Sequence, residues 1–184
     1  IRLSNSDNFL CALVASDDGF IRCFQCATPE NPLSYTSWSI KMEFNFGSPV
    51  TLASFIPIES NSAVLFAAAT VKGEIYFIDA NGTSHLIKSY APKKITALAI
   101  GILPNSLVPF ILAALSDSTI RVLIENEEVL TISGHQNWIT SLSISVDDAN
   151  SSVNILSSSL DKTIRVWKIY EHVEDAALAF SALL

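Results

Sequence analysis

One pattern of apolar and polar positions recurs four times along the chain. Each copy has a short strand of small and apolar residues, a polar turn, and a second strand with isoleucine near its start. Short apolar runs bounded by turn residues are typical of β-strands, so each copy predicts a hairpin. The copies lie at residues 15–24, 69–78, 114–123 and 158–167. Their aligned isoleucines are separated by 54, 45 and 44 residues, which indicates an internal repeat.

Two further strands are predicted in each repeat. Residues 84–89 alternate as an outer strand, and residues 95–100 carry small and apolar side chains as an inner strand. The runs 63–69 and 107–115 are apolar throughout, which predicts strands buried on both faces. Residues 173–184 fit either a short helix or an outer strand. Four short strands in a unit of about 40–45 residues are typical of a β-propeller blade. We therefore predict an all-β fold, a partial propeller with about four blades over residues 1–184.

The fourth repeat contains the most specific group of polar residues. His135 precedes the inner strand, Ser159 ends the second strand, Asp161 lies in the turn, and Trp167 lies on the third strand. These positions resemble, residue for residue, the hydrogen-bonded tetrad of WD repeats. We expect Asp161 to accept from His135, and the hydroxyl of Ser159 to join His135 to the indole of Trp167. Such a chain would satisfy each polar group inside the blade.

A catalytic interpretation of the same residues is disfavoured. His135, Ser159 and Asp161 are the residue types of a catalytic triad, but Ser159 lies in Leu-Ser-Ser-Ser-Leu, without glycine or a strand-to-helix turn. The other repeats keep fewer of these residues. The first and third repeats retain the acid of the turn as Asp18 and Asp117, whereas the second has Lys72 there. In place of the tryptophan these three repeats carry Phe24, Ile78 and Leu123.

Composition and charge narrow the function. The chain has a net charge of −7 and is 49% hydrophobic, with a mean hydropathy of +0.39. The apolar runs are shorter than the roughly 20 residues of a membrane span. Proteins that bind nucleic acid directly usually present a basic surface, so we expect none to bind here. The three cysteines, Cys11, Cys23 and Cys26, are too few for a disulfide framework and offer no second ligand pair for zinc. We therefore interpret them as buried strand residues and predict no metal or cofactor.

Beyond the general WD-repeat pattern, the chain resembles the WD-repeat second subunit of the Elongator complex. Residues 134–142 are similar to the Gly-His-x-x-Trp segment of that subunit family, residues 95–113 to its long inner-strand region, and residues 159–169 to its third-strand hairpin. In that family a polar insertion follows this hairpin, and here it is short or absent after Tyr170. The resemblance implies a non-catalytic scaffold in a longer protein with two seven-bladed propellers, this chain being part of the first.

The same resemblance implies partners and a location. The expected partners are the large Elongator scaffold subunit and the radical-SAM/acetyltransferase-like catalytic subunit, in an assembly that modifies wobble uridines of tRNA. We expect no membrane association, and a location in the cytoplasm, with the nucleus as a second location. The absence of a disulfide framework agrees with a reducing compartment.

Two other interpretations of the chain remain open, as does the placement of one tryptophan. The chain could belong to another WD-repeat adaptor, in ubiquitin ligation, vesicle coats or chromatin. It could be a propeller enzyme with carboxylates gathered at a central channel, although most of its candidates fall at hairpin turns, where aspartate is common: Asp17, Asp18, Asp117, Asp147, Asp148 and Asp161. Finally, Trp138 either packs between blades or anchors a partner from an exposed rim.

Overall fold

The computed structural model describes residues 2–6, 9–26, 38–58, 63–79, 81–174 and 177–183. Every regular element in these ranges is a β-strand, apart from a short 3-10 turn at Asp148–Asn150. The prediction of an all-β fold is therefore confirmed. Within the same ranges, no helix has the length and apolarity needed to cross a membrane. The chain divides into two compact units, residues 1–92 and residues 93–184.

The first unit contains two four-stranded antiparallel sheets, each with its strands in sequence order. The first sheet is formed by β1 Arg2–Ser6, β2 Phe9–Ala15, β3 Phe20–Cys26 and β4 Trp38–Asn45. The second sheet is formed by β5 Val50–Ile58, β6 Ala63–Thr70, β7 Glu74–Ile78 and β8 Ser84–Ser89.

The second unit repeats this arrangement. The third sheet is formed by β9 Ile95–Ile102, β10 Pro109–Leu115, β11 Ile120–Ile124 and β12 Glu127–Ile132. The fourth sheet is formed by β13 Ile139–Asp147, β14 Ser152–Ser159, β15 Ile164–Glu174 and β16 Ala177–Leu183. The four predicted hairpins are β2–β3, β6–β7, β10–β11 and β14–β15. Of the two alternatives for residues 173–184, the structure has the strand, because β16 pairs along β15.

The four central hairpins turn in the same way. Equivalent positions are left-handed in all four, with φ values of +86° at Gly19, +80° at Gly73, +68° at Ser118 and +68° at Lys162. The amide two residues after the turn aspartate donates to that carboxylate in the first, third and fourth hairpins. This local bonding is the reason that aspartate recurs there. In the second hairpin Lys72 occupies the position and glycine alone supplies the left-handed turn.

Each unit has a core between its two sheets. In the first unit, one face of the first sheet packs on the second sheet, with Leu13, Ile21, Phe66 and Ile78 buried among others. In the second unit, the third sheet packs in the same manner on the fourth. The third sheet presents Ala97, Ala99, Leu112, Ala114, Ile120 and Val122, and the fourth presents Leu142, Val153, Ile155, Trp167 and Ile169.

Position 101 of the third sheet, where it faces the fourth, has room only for glycine. A Cβ atom on Gly101 would lie 2.6 Å from the ring of Phe110 and 3.3 Å from Cδ1 of Ile144. Phe110 itself is 1% exposed and pairs directly with Gly101. The ring of Phe110 therefore occupies the space that a side chain at position 101 would need.

The three cysteines are free and buried on strands, as the sequence predicted. Cys11 and Cys23 share a hydrogen bond between β2 and β3. This bond and burial both raise the pKa of the Cys23 thiol, whereas the same bond lowers the pKa of Cys11 against the opposing effect of burial. Among the described residues, no three His, Cys, Asp or Glu side chains lie close enough together to hold a metal ion.

Candidate functional site

A buried polar network in the fourth sheet is built from a loop, a turn and two strands. His135 lies in the loop between β12 and β13, Asp161 in the turn between β14 and β15, and Ser157 and Trp167 on the two strands of that hairpin. Opposite Trp167 on β14 is Ile155, so the indole reaches diagonally to Ser157. Gly134 makes room for this packing, because a Cβ there would lie 2.8 Å from the Trp167 ring.

The hydrogen bonds of the network run in one direction from the tryptophan to the aspartate. The indole Nε1 of Trp167 donates to Oγ of Ser157 at 2.8 Å, and Oγ of Ser157 lies 2.7 Å from Nε2 of His135. Nδ1 of His135 lies 2.8 Å from Oδ2 of Asp161. Because an ionised carboxylate only accepts, Nδ1 carries the proton, and in the neutral imidazole Nε2 then accepts from the Ser157 hydroxyl. Every polar atom along this path then has a partner.

Asp161 is held by donors on both carboxylate oxygens. Its Oδ2 also accepts from the backbone N–H of Gln136 at 3.0 Å, and its Oδ1 accepts from the N–H and hydroxyl of Thr163 at 2.9 and 2.6 Å. Burial raises the pKa of Asp161, but the hydrogen bonds from Thr163, Gln136 and His135 outweigh it and hold the pKa well below its usual range. The carboxylate is therefore ionised and ties the loop before β13 to the hairpin turn.

The prediction that Ser159 bridges His135 and Trp167 is wrong, because Ser157 makes both bonds. Ser159 is at the end of β14, beside the turn. Its hydroxyl donates to the carbonyl of Asn137 at 2.9 Å and accepts from the N–H of Asp161 at 3.1 Å. Ser157 lies two residues further from the turn on β14 and reaches the indole. No sequence signal singles it out from the two serines that follow it, because its counterpart in the third sheet is Ala113.

The network suits a structural role better than a catalytic one. Ser157 is 0% exposed, and the His135 side chain is likewise fully buried. The hydroxyl is enclosed by its bonds to histidine and indole, and also lies 3.4 Å from the Arg165 carbonyl. A nucleophile needs an approach for substrate and a site for the oxyanion, and this buried hydroxyl lacks the approach.

The sheets that lack tryptophan at the position of Trp167 also lack serine at the position of Ser157. The positions equivalent to Ser157 and Trp167 carry Val14 with Phe24, Ala68 with Ile78, and Ala113 with Leu123. Ala68, Ile78, Ala113 and Leu123 are all at most 1% exposed. Since no indole N–H is buried in those hairpins, no hydroxyl is needed to accept from it.

In the first and third sheets the turn aspartate pairs with a lysine or arginine side chain, whereas in the fourth sheet it pairs with histidine. Asp117 accepts from Lys93 at 2.8 Å and lies 3.3 Å from the Arg121 guanidinium, while Asp18 pairs with Arg22 at 3.0 Å. Burial raises the pKa of Asp117, but its bonds to Lys93 and Thr119 prevail and lower it to about 2. Asp147 accepts from Asn150 within its own turn. The aspartates proposed as possible catalytic residues therefore each stabilise a different turn. The side chain of Asp148 is outside the described residues.

Beside the network lies an exposed groove between the third and fourth sheets. It has a volume of about 330 Å³ and is lined by Lys94, Ile95, Thr96, Trp138, Ile139, Thr140 and Leu160. Trp138 is 45% exposed and Leu160 is 56% exposed, so the tryptophan presents its ring at the surface instead of burying it. Sequence reasoning had identified Trp138 but missed Leu160 and Lys94, which come from distant elements.

The wall of this groove is fixed to the polar network. The N–H of Leu160 donates to the carbonyl of Trp138 at 2.9 Å, and Ser159 holds the neighbouring carbonyl of Asn137. Asp161 binds the same loop through Gln136. The two exposed apolar side chains therefore stand on a rigid support, which lowers the entropy cost of binding to them.

Part of the chain matches a known protein-family model. Residues 126–168 match the model described as "WD domain, G-beta repeat", and this segment contains all four residues of the buried network. No curated protein matches the chain.

Solved structures with the same fold span almost the whole chain. The β-propeller domain of Cps50 (Swd1) from Myceliophteria thermophila has a TM-score of 0.64 at 17% identity, covering 98% of this chain and 56% of that one. The WD40 β-propeller domain of Doa1 has a TM-score of 0.56 at 19% identity, covering 89% and 47%. BBS1N, solved in complex with ARL6DN, has a TM-score of 0.61 at 15% identity, covering 91% and 45%. The chain has the fold of a WD-repeat β-propeller and spans about half the length of these structures.

Proposed function

We propose that this chain is part of a non-catalytic protein-binding scaffold, and that the groove at Trp138 is one of its binding sites. The observation that carries the proposal is the exposed Trp138 ring beside the exposed Leu160 side chain, both fixed by the buried network. Exposed tryptophan on a rigid support is a typical anchor of protein interfaces. WD-repeat propellers typically bind protein partners, and a similar structure, BBS1N, is a complex with ARL6DN.

The groove fits an extended segment of a partner protein. Its volume of about 330 Å³ has room for one large apolar side chain against Trp138 and Leu160. Lys94 stands exposed at the same groove, whereas the neighbouring Lys93 is already bound to Asp117. An acidic side chain next to the apolar anchor of the partner would pair with Lys94, giving orientation more than affinity.

The narrower proposal is that the complex is Elongator and that the scaffold supports modification of wobble uridines in tRNA. It rests on the resemblance of residues 95–113, 134–142 and 159–169 to the second Elongator subunit. Its partners would be the large scaffold subunit and the radical-SAM/acetyltransferase-like subunit, in the cytoplasm or also the nucleus. The net charge of −7 favours protein partners over direct contact with tRNA. The alternative is a different WD-repeat adaptor, in ubiquitin ligation, vesicle coats or chromatin.

Affinity purification of the tagged protein from its own cells, followed by quantitative mass spectrometry, tests both levels. We expect stoichiometric recovery of the two Elongator subunits, and recovery of the partner at the groove reduced about tenfold or more by Trp138→Ala. Leu160→Ala should act in the same direction. Leu86→Ala is the matched control, because Leu86 is 55% exposed on a different sheet.

The outcomes separate the general proposal from the narrow one. If a different assembly is recovered and Trp138→Ala reduces its recovery, the result supports the scaffold function and overturns the Elongator proposal. A set of partners that is unchanged in Trp138→Ala and Leu160→Ala overturns the groove as a binding site. Recovery of no partner at all would contradict the scaffold function itself.

A further inference from the structure

Two of the three cysteines lie side by side on the buried face of the first sheet. Cys11 on β2 is opposite Gln25 of β3. Cys23 of β3 is opposite Leu13 of β2, so the two cysteines are diagonal neighbours across the hairpin. Both belong to the core that the first sheet forms with the second, and each is 1% exposed. Their thiols share a hydrogen bond, which requires the two sulfur atoms to be in contact.

Spacing in the sequence would pair the cysteines differently. Cys23 and Cys26 are separated by two residues, as in a redox-active Cys-x-x-Cys motif, and in an unfolded chain the shorter loop closes more readily. In the structure both lie on β3, and a strand rises about 3.3 Å per residue while its side chains alternate between faces. The side chains of Cys23 and Cys26 therefore point to opposite faces, about 10 Å apart along the strand. Strand geometry prevents a bond between them while the hairpin is folded.

The two neighbouring thiols differ in the way that a reacting pair requires. The hydrogen bond from Cys23 and the charge of Lys41 lower the pKa of Cys11 against burial, so Cys11 ionises first. The same bond and burial raise the pKa of Cys23, which keeps its thiol protonated. A thiolate is the nucleophile towards an oxidant, and a neighbouring thiol then resolves the product. Cys11 is therefore suited to the attack and Cys23 to the second step.

We propose that Cys11 and Cys23 form an oxidative modification site, which hydrogen peroxide converts to a disulfide within the first sheet. The Cys11 thiolate attacks one peroxide oxygen, the O–O bond breaks, and Cys11 becomes a sulfenic acid while hydroxide leaves. The Cys23 sulfur then attacks the Cys11 sulfur, the S–O bond breaks, and the hydroxyl group leaves as water with the proton of Cys23. The hydroxide takes up the proton that Cys11 released on ionising. In sum, two thiols lose two electrons and two protons, and one peroxide is reduced to two waters.

The disulfide acts on the first unit. Hydrogen peroxide is small, so local opening of the sheet is enough to admit it to the buried pair. The sulfur atoms then approach from contact to a bond of about 2.05 Å by rotation of side chains on two strands that are already paired. A link between β2 and β3 restricts the unfolded chain and should raise the urea resistance of the first unit. The groove at Trp138 belongs to the second unit, so this proposal stands without the proposed function.

Peptide mapping of the oxidised protein tests the proposal. The chain of 184 residues is treated with hydrogen peroxide, once folded and once unfolded in urea, and is digested with trypsin without reductant after the remaining thiols are blocked. Trypsin cleaves after Arg22, so Cys11 leaves in one peptide and the other two cysteines in the next. We expect the folded protein to remain a monomer, two hydrogen atoms lighter, with these two peptides joined. The unfolded protein should instead give mainly the link within the second peptide.

Three variants assign the steps. Cys26→Ser is the matched control and should form the disulfide at an unchanged rate. Cys23→Ser should leave Cys11 as a sulfenic acid that dimedone traps, and Cys11→Ser should consume peroxide at least about tenfold more slowly.

The comparison of folded and unfolded wild-type protein needs no variant to fold. Three free thiols in the folded protein after oxidation of the unfolded one, or the same links in both, would overturn the proposal. So would a link that is lost in Cys26→Ser, or one that joins two copies of the chain.

Discussion

At the scale of single residues, the buried network depends on one hydroxyl. The hydroxyl of Ser157 is hydrogen-bonded both to the indole N–H of Trp167 and to the imidazole of His135. Both of its neighbours are buried, so neither can exchange the lost bond for water. The hydroxyl therefore matters more to stability than its size suggests.

We predict that Ser157→Ala lowers the free energy of unfolding by about 1–3 kcal/mol, because it leaves the Trp167 N–H and His135 Nε2 without partners. Ser159→Ala is the comparison, and should cost less because Ser159 is half-buried beside the turn and water can replace its bonds. Urea denaturation followed by tryptophan fluorescence measures both. An equal or larger loss for Ser159→Ala would show that the assignment of Ser157 is mistaken.

The ion pair of Asp117 should make stability depend on acidic pH. Its pKa is held at about 2 in the folded protein, below the value of about 3.9 in an unfolded chain. A lowered folded pKa contributes stability that is present above pH 4 and is lost as the pH falls toward 2. We predict that Asp117→Asn destabilises the protein at pH 7 and that the difference from wild type shrinks between pH 4 and pH 2.

Urea midpoints at a series of pH values measure this effect. Asp17→Asn is the control, since it removes the same charge from the exposed turn of the first sheet. A deficit for Asp117→Asn that is constant from pH 7 to pH 2 would contradict a role for its ionisation.

Much of the site could be predicted from residue types alone, but its serine could not. His135 and Asp161 are single residues at characteristic places, a loop before a strand and a hairpin turn. Residues 157–159 are three consecutive serines, and choosing among them requires the pairing of β14 with β15. The groove was harder still, because Lys94 and Leu160 are 66 positions apart in sequence and neither is a characteristic residue of the repeat.

At the scale of strands and sheets, the repeat predicted the hairpins well because their burial is periodic and their turns carry aspartate or glycine. Less predictable were the ends of strands. β15 continues to Glu174 and pairs with β16, although residues 173–184 have an apolar pattern that also suits a helix. Pairing across strands decides such segments, and it is not visible in a single stretch of sequence.

Gly101 offers a test of the packing between sheets. We predict that Gly101→Ala destabilises the second unit by about 1–3 kcal/mol, because the new methyl group would displace the ring of Phe110 against Ile144. The equivalent position in the fourth sheet is Ser145, which is exposed, so Ser145→Ala serves as the control. Thermal unfolding of both variants measures the difference. If Gly101→Ala were as stable as Ser145→Ala, the two sheets would be less closely packed than described.

At the scale of the whole molecule, the high hydrophobic content of the chain agrees with its fold. β9 and β10 of the third sheet are buried along almost their whole length and lack polar alternation, which agrees with a chain that is 49% hydrophobic. Sequence reasoning therefore identified the class of fold. It did not identify which faces are covered, because covered and open faces use the same residue types at the same positions of the repeat.

The pairing of Ser157 with Trp167 limits the order in which mutations can accumulate over evolutionary time. If the serine is lost first, the indole N–H is left buried without an acceptor. If the tryptophan is lost first, a cavity remains where the ring had been. The combination of alanine and leucine at positions 113 and 123 is again fully satisfied. Sheets with and without the network are thus two separate solutions, and descent from one to the other passes through a less stable ancestor unless both residues change together.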